Sequence, residues 1–161
     1  DGKAVPDRAT LERYEVVVWS SGWLGQGPKF GAEASLAGYL DEGGCLVIHA
    51  NHLFDGANVT AFQREYLGLL EQVPVEMRDG IKSFAGFGAF DAHDFVAGLG
   101  AVGALRFDDT AYGTLLDSNG GGFAGTAKSG HDYQALVFGF PMFALESLTA
   151  RMDLLNGVLS M

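Results

Sequence analysis

The apolar positions come in two kinds of run, and their alternation predicts a mixed α/β chain. Tyr14-Glu15-Val16-Val17-Val18-Trp19-Ser20 is β-branched and almost uniformly apolar, the pattern of a strand covered on both faces, as in a parallel sheet. A glycine-rich loop, Ser21 to Pro28, stands at its carboxyl end. Over Ala32 to Glu42, Leu36, Tyr39 and Leu40 fall at i, i+3 and i+4, which predicts a helix that Gly43-Gly44 stops. Cys45 to His49 is a second apolar strand. Strand, helix and strand make a βαβ unit, whose crossover is right-handed.

Thr60-Ala61-Phe62-Gln63 has the form of a capping box, opening a helix with Phe62, Tyr66, Leu69 and Leu70 along one face. Val73 to Met77 reads as extended, and residues 79–103 as glycine-rich loops with short irregular strands. Leu105 to Phe107 and Tyr112 to Leu116 read as two strands, and Asn119 to Gly122 as a turn. Phe123 to Thr126 and Tyr133 to Phe140 flank a turn at Ser129 to Asp132, which predicts an antiparallel hairpin. Its second strand is apolar after Gln134, so it should lie centrally, and Pro141 ends it. A final helix carries Leu145, Leu148, Met152, Leu155 and Leu159 at helical spacing. Residues 1–13 are a polar lead-in with a helical turn near Ala9 to Arg13.

The length, 161 residues, fits a single domain over 1–161, or a piece of a longer chain. The excess of 20 acidic over 10 basic residues argues against nucleic acid and against an anionic membrane surface. The apolar runs are also too short for membrane insertion. A lone cysteine excludes an internal disulfide, and Cys45, at the start of an apolar run, reads as a small buried hydrophobe.

Candidate chemistry gathers where "GGCLVIHANHLFDG" leaves its strand, since ligands of parallel sheets bind at carboxyl strand ends. His49 and His52 have an H-x-x-H spacing, which would chelate only if the chain turns after Ala50. Asp55, His93 and Asp94 would complete a His/carboxylate set for zinc. The bland alternative is a satisfied His49 and a solvated His52. Asp108-Asp109, Asp91-His93-Asp94 and Asp117 to Gly120 are acidic clusters that would suit calcium, or else are solvated turns. Ser21 is a nucleophile candidate, but Trp19 to Trp23 is not G-x-S-x-G. The glycines at 22, 25 and 27 do not form a phosphate loop. Asn58-Val59-Thr60 matches a glycosylation sequon and equally a helix start.

Four segments in order resemble one family. They are "LERYEVVVWSSG", "ASLAGYLDEGGCLVIHANH", "FQREYLG" and "YQALVFGFPMFALES…RMDLLNGVL". The family is a class I glutamine amidotransferase-like domain of bacterial secreted multidomain proteins, such as those beside immune-inhibitor-A-type peptidases. The resemblance covers most of residues 9–161 and implies a flavodoxin-like three-layer α/β sandwich with a mostly parallel sheet. It implies an extracellular or cell-surface setting.

The chain departs from the family in two places. A strand, helix and strand usually precede the equivalent of Tyr14, whereas here the first βα unit is missing. That absence would expose an apolar sheet edge, to be covered by a protein partner, a second copy or a separated fragment. Ala50 falls near the elbow where amidotransferases carry a nucleophilic cysteine, and Phe140-Pro141-Met142 near their His-Pro-Glu. The catalytic triad is therefore expected to be absent. The resulting expectation is a non-catalytic accessory domain working by surface contacts through Ser20, Ser21, Trp23, Asn51 and His52. The alternatives are a hydrolase built on His49, His52 and Asp55, with or without a metal, and a structural subunit of a homo-oligomer.

Overall fold

The computed structural model describes residues 5–21, 27–28, 30–50, 53, 59–75, 81–83, 102–117, 122–145 and 147–160. Strand β1 is Val16–Ser20, helix α2 Phe30–Asp41 and strand β2 Cys45–His49, preceded by a short helix α1, Arg8–Leu11. Helix α3 (Ala61–Glu65) leads into strand β3 (Leu69–Val75), followed by β4 (Ile81–Ser83), β5 (Val102–Phe107) and β6 (Ala111–Asp117). Strands β7 (Phe123–Ser129) and β8 (Gln134–Phe138) form the expected antiparallel hairpin, and a 3-10 turn (Met142–Ala144) precedes helix α4 (Leu148–Leu159).

One mixed sheet of eight strands runs β1-β2-β8-β7-β5-β3, with β6 also on β7 and β4 on β6. The β1–β2 and β2–β8 pairings are parallel and the other five antiparallel, so the sheet is mixed, with parallel pairing confined to one end. β8 is the seam, with β2 parallel on one side and β7 antiparallel on the other.

Period-two alternation sorts the strands into two cores. Leu46, Ile48, Ala135 and Val137 face the front layer, with Leu11 of α1, Leu36, Tyr39 and Leu40 of α2 and Phe62 of α3. Val47, Leu136 and Phe138 face the back layer, with Ala150, Leu154 and Val158 of α4. The result is the three-layer sandwich, helix on sheet on helix.

Helix α2 ends as the glycine pair requires. Gly43 takes φ 89°, and a Cβ on Gly44 would stand 2.3 Å from the Tyr39 ring. The Tyr39 hydroxyl accepts from the Cys45 N–H at 3.1 Å. It also lies 2.9 Å from the Glu15 carbonyl and 3.1 Å from those of Tyr14 and Cys45. One phenol thus ties the helix to the starts of both β1 and β2.

Three expectations change. β1 is covered on one face only: Val17 and Trp19 are half-buried against the front core, while Val16, Val18 and Ser20 are exposed. It lies at the end of the strand order, so its outer edge is unpaired among the described residues. The capping box at Thr60 is real, but its helix is five residues long; Gly68 at φ 66° turns the chain and Leu69-Leu70 enter β3. Lastly, α4 buries Ala150, Leu154, Gly157 and Val158. The regularly spaced Leu148, Met152, Leu155 and Leu159 are 69%, 54%, 41% and 72% exposed.

Candidate functional site

The carboxyl ends of β1 and β2 lie side by side, with Ser20 paired to His49 and the Ser21 N–H donating to the His49 carbonyl. This crevice holds the described members of the candidate set. His49 is 6% exposed. The Met142 N–H donates to its Nδ1 at 3.4 Å, which ties the strand end to the turn before α4. Burial holds the imidazole below its ordinary pKa, so it is neutral at pH 7. A ring whose Nδ1 accepts carries its proton on Nε2.

The Ser21 hydroxyl is buried without a hydrogen-bond partner among the described residues. Ser20 is exposed, on the same side of the sheet as Val16 and Val18. Ala50, at the expected elbow position, is fully buried, and its N–H donates to the Phe138 carbonyl. The chain there still follows the β2–β8 ladder, and the residue carries no reactive group. Phe140 and Pro141 are buried, and neither they nor Met142 brings an acid or a base to the late strand.

The loops after the two strands touch. A Cβ on Gly27 would lie 2.7 Å from the Leu53 carbonyl oxygen, so only glycine allows that approach. Leu53 is buried and doubly held: its N–H donates to Gln72 Oε1 at 2.9 Å, and its carbonyl accepts from Gln63 Nε2 at 3.2 Å. Gln63 Oε1 also accepts from the Thr60 N–H, and the Thr60 hydroxyl donates to Glu33 at 2.8 Å. Burial raises the Glu33 pKa against that hydrogen bond. The sequence marked Gln63 only as part of the capping box. Its second bond to Leu53, and the part of Gln72, have no local signal.

Asn51, His52, Asp55, Trp23, His93, Asp94, Asp91 and Asn58 lie outside the described residues. The zinc set therefore reduces here to His49 alone, and no group of three metal-binding side chains occurs among the described residues. Of the acidic clusters, Asp108 accepts from the N–H and hydroxyl of Thr110 and so closes its own turn. Those bonds hold its carboxyl below the ordinary range. Cys45 is half-buried and its thiol is pushed up by burial, which favours the unreactive form. No described helix is long and apolar enough to cross a membrane.

No protein-family model and no curated protein matches the chain. Solved structures do. The mmIFT52 N-terminal domain superposes with a TM-score of 0.68 at 15% identity, over 98% of this chain and 81% of that one. A cytoplasmic protein of Salmonella typhimurium, STM3548, gives 0.64 at 14% identity, over 98% of this chain and 76% of that one. A β-galactosidase from Rahnella sp. R3 gives 0.65 at 13% identity over 93% of this chain, which spans 23% of the enzyme's length. At 13–15% identity these likenesses show the fold alone. The fold of this chain is α/β and similar to class I glutamine amidotransferase-like domains.

Proposed function

We propose that the chain is a non-catalytic accessory domain of a secreted bacterial protein, and that it works by surface contacts. The observation that carries this reading is Ala50. At the strand end where amidotransferases hold their nucleophile, a buried alanine keeps the backbone in the ladder. Two surfaces offer contacts: the loops following β1 and β2, and the exposed Val16–Val18 face of β1. The secreted setting rests on the resemblance of the sequence segments alone.

The test is a hydrolase screen on the purified chain with p-nitrophenyl esters and chromogenic amides. No turnover above a protein-free blank is expected. Turnover that disappears in both His49→Gln and Ser21→Ala would overturn the proposal. It would instead establish the hydrolase reading, which the unpartnered Ser21 hydroxyl beside the neutral His49 favours. Stoichiometric zinc, lost together with that turnover, would mark its metal-assisted form.

A further inference from the structure

Helix α4 is apolar on the side that faces away from the sheet. Ala150, Leu154, Gly157 and Val158 are its buried set, whereas Leu148, Met152, Leu155 and Leu159 are 69%, 54%, 41% and 72% exposed. At about 100° per residue the exposed four form a stripe roughly 60° wide, turned roughly 145° around the helix from its buried side. A helix lying beside α4 on the same sheet would touch it at only about 90° from that side, so the stripe points past its own layer. The outer face of a sandwich helix is ordinarily polar.

The spacing of the stripe says what fits it. Steps of 4, 3 and 4 residues are those of a heptad, with Leu148 and Leu155 at d and Met152 and Leu159 at a. Such a stripe packs side chain into gap against another helix of the same period. Helix α2, the other described helix of twelve residues, keeps Leu36 and Leu40 in the core. The matching stripe is therefore the same one on a second copy. It is self-complementary about a two-fold axis between Met152 and Leu155. Antiparallel order sets Leu148 against Leu159 of the second copy and Met152 against Leu155, each contact made twice. The same order opposes the two helix dipoles.

Charge does not stand in the way. Thr149 and Asn156, which flank one side of the stripe, are neutral. Arg151, on the other flank, is turned back onto its own chain. Its Nε donates to the Leu145 carbonyl at 2.9 Å and its Nη2 to the Phe143 carbonyl at 3.2 Å. A helix built for a membrane surface borders its apolar face with lysine and arginine. Helix α4 has this one cation, already engaged, in a chain of net charge -10.

Area sets the strength. Phe143, 40% exposed and tied to Arg151, adds to the rim. Stripe and rim together expose on the order of 500 Å² of apolar surface, as much as the largest patch on a typical monomer. Two copies would bury about 1,000 Å² in all, where specific but transient interfaces begin.

We propose that α4 is a homodimerisation helix: two copies of the chain pair antiparallel through Leu148, Met152, Leu155 and Leu159 in a weak, reversible dimer. This goes beyond the accessory reading and is independent of any chemistry at the strand-end crevice.

The test is sedimentation equilibrium of the 161-residue chain from about 1 to 500 µM, a range that brackets a weak association. The expected result is a monomer–dimer equilibrium with a Kd of about 10–100 µM and no larger species. Met152→Glu and Leu155→Lys should each weaken it at least tenfold, because each sets a lone charge inside the pairing. Leu155→Gln, a neutral change, should weaken it about threefold or more. Circular dichroism at about 1 µM, where the chain is monomeric, should show all three variants folded, which separates loss of the dimer from loss of the fold. Mixed in equal amounts, the Met152→Glu and Leu155→Lys chains should associate with a Kd within about threefold of the parent, since antiparallel order brings the two charges together. A monomer across the whole range overturns the inference. So does a dimer that Val18→Lys abolishes and Met152→Glu does not, because it is joined along β1. Mixed variants that stay apart overturn the antiparallel pairing. A monomer that floats with phosphatidylcholine vesicles gives the stripe to a membrane and equally overturns the dimer.

Discussion

Helices α2 and α4 are both twelve residues long and both pack on the sheet, yet they solve different problems. In α2 the large apolar side chains are the buried ones: Leu36 and Leu40 are 0% and Tyr39 2% exposed. In α4 the buried side includes Ala150 and Gly157, and the larger set of leucines faces out. Small residues let α4 lie close to the sheet, while its long side chains reach away from it. Helical spacing therefore identifies a stripe without saying which stripe the core takes, because close approach selects for size as well as apolarity.

Neighbouring residues of α4 give the sharpest break in that comparison. Leu154→Ala should cost about 2–5 kcal/mol, as a cavity among Val47, Leu136 and Phe138. Urea denaturation of the 161-residue chain measures it, and a loss under ~1 kcal/mol would mean that α4 is not seated as described. On the α2 side, Tyr39→Phe removes the hydroxyl that joins the starts of β1 and β2. A loss of about 0.5–1.5 kcal/mol is expected, the net worth of an ordinary hydrogen bond, since the Cys45 N–H keeps the Glu15 carbonyl as an acceptor. Thr60→Ala should cost about 1 kcal/mol through the lost capping box, and Thr60→Ser should restore most of it in the same thermal melt.

His49 gives a pH signature at the seam between the two layers. Its pKa is depressed in the folded state, so the folded protein binds fewer protons than the unfolded chain below the ordinary histidine value. That contribution is complete above pH ~6.5 and is lost as pH falls toward the folded pKa, at up to ~1.4 kcal/mol per pH unit. In His49→Gln the slope of stability between pH 6.5 and 5 should be shallower, and an unchanged slope would refute a neutral, buried imidazole. Smallest of all, Leu155→Gln in the 161-residue chain should shift stability by no more than about 0.5 kcal/mol.

The local devices were legible in the residues themselves. Gly43-Gly44 stops α2, Thr60 with Gln63 caps α3, and the polar turn before Tyr133 makes the β7–β8 hairpin, because each acts within a few residues. The β-branched run at Val16–Ser20 correctly marked a strand, but whether its second face is covered depends on what stands beyond the edge. Gly68 cut short a helix whose apolar spacing continued through Leu69, since a residue held at φ 66° ends the helical path whatever follows. At the candidate site, the place of Ala50 just past the end of β2 could be read from the apolar run before it. The grip of Gln63 and Gln72 on Leu53 could not, because it joins positions brought together only by the fold.

The seam strand also sets a schedule for synthesis. β2 pairs with β1 almost as soon as both leave the ribosome, but its inner neighbour β8 lies about ninety positions later. At ~5–20 residues per second that interval is on the order of ten seconds. Throughout it the two-stranded ribbon has both edges free and Leu46, Val47 and Ile48 without their partners. The nascent chain is therefore most vulnerable between the release of β2 and that of β8, the interval in which a holdase should raise yield.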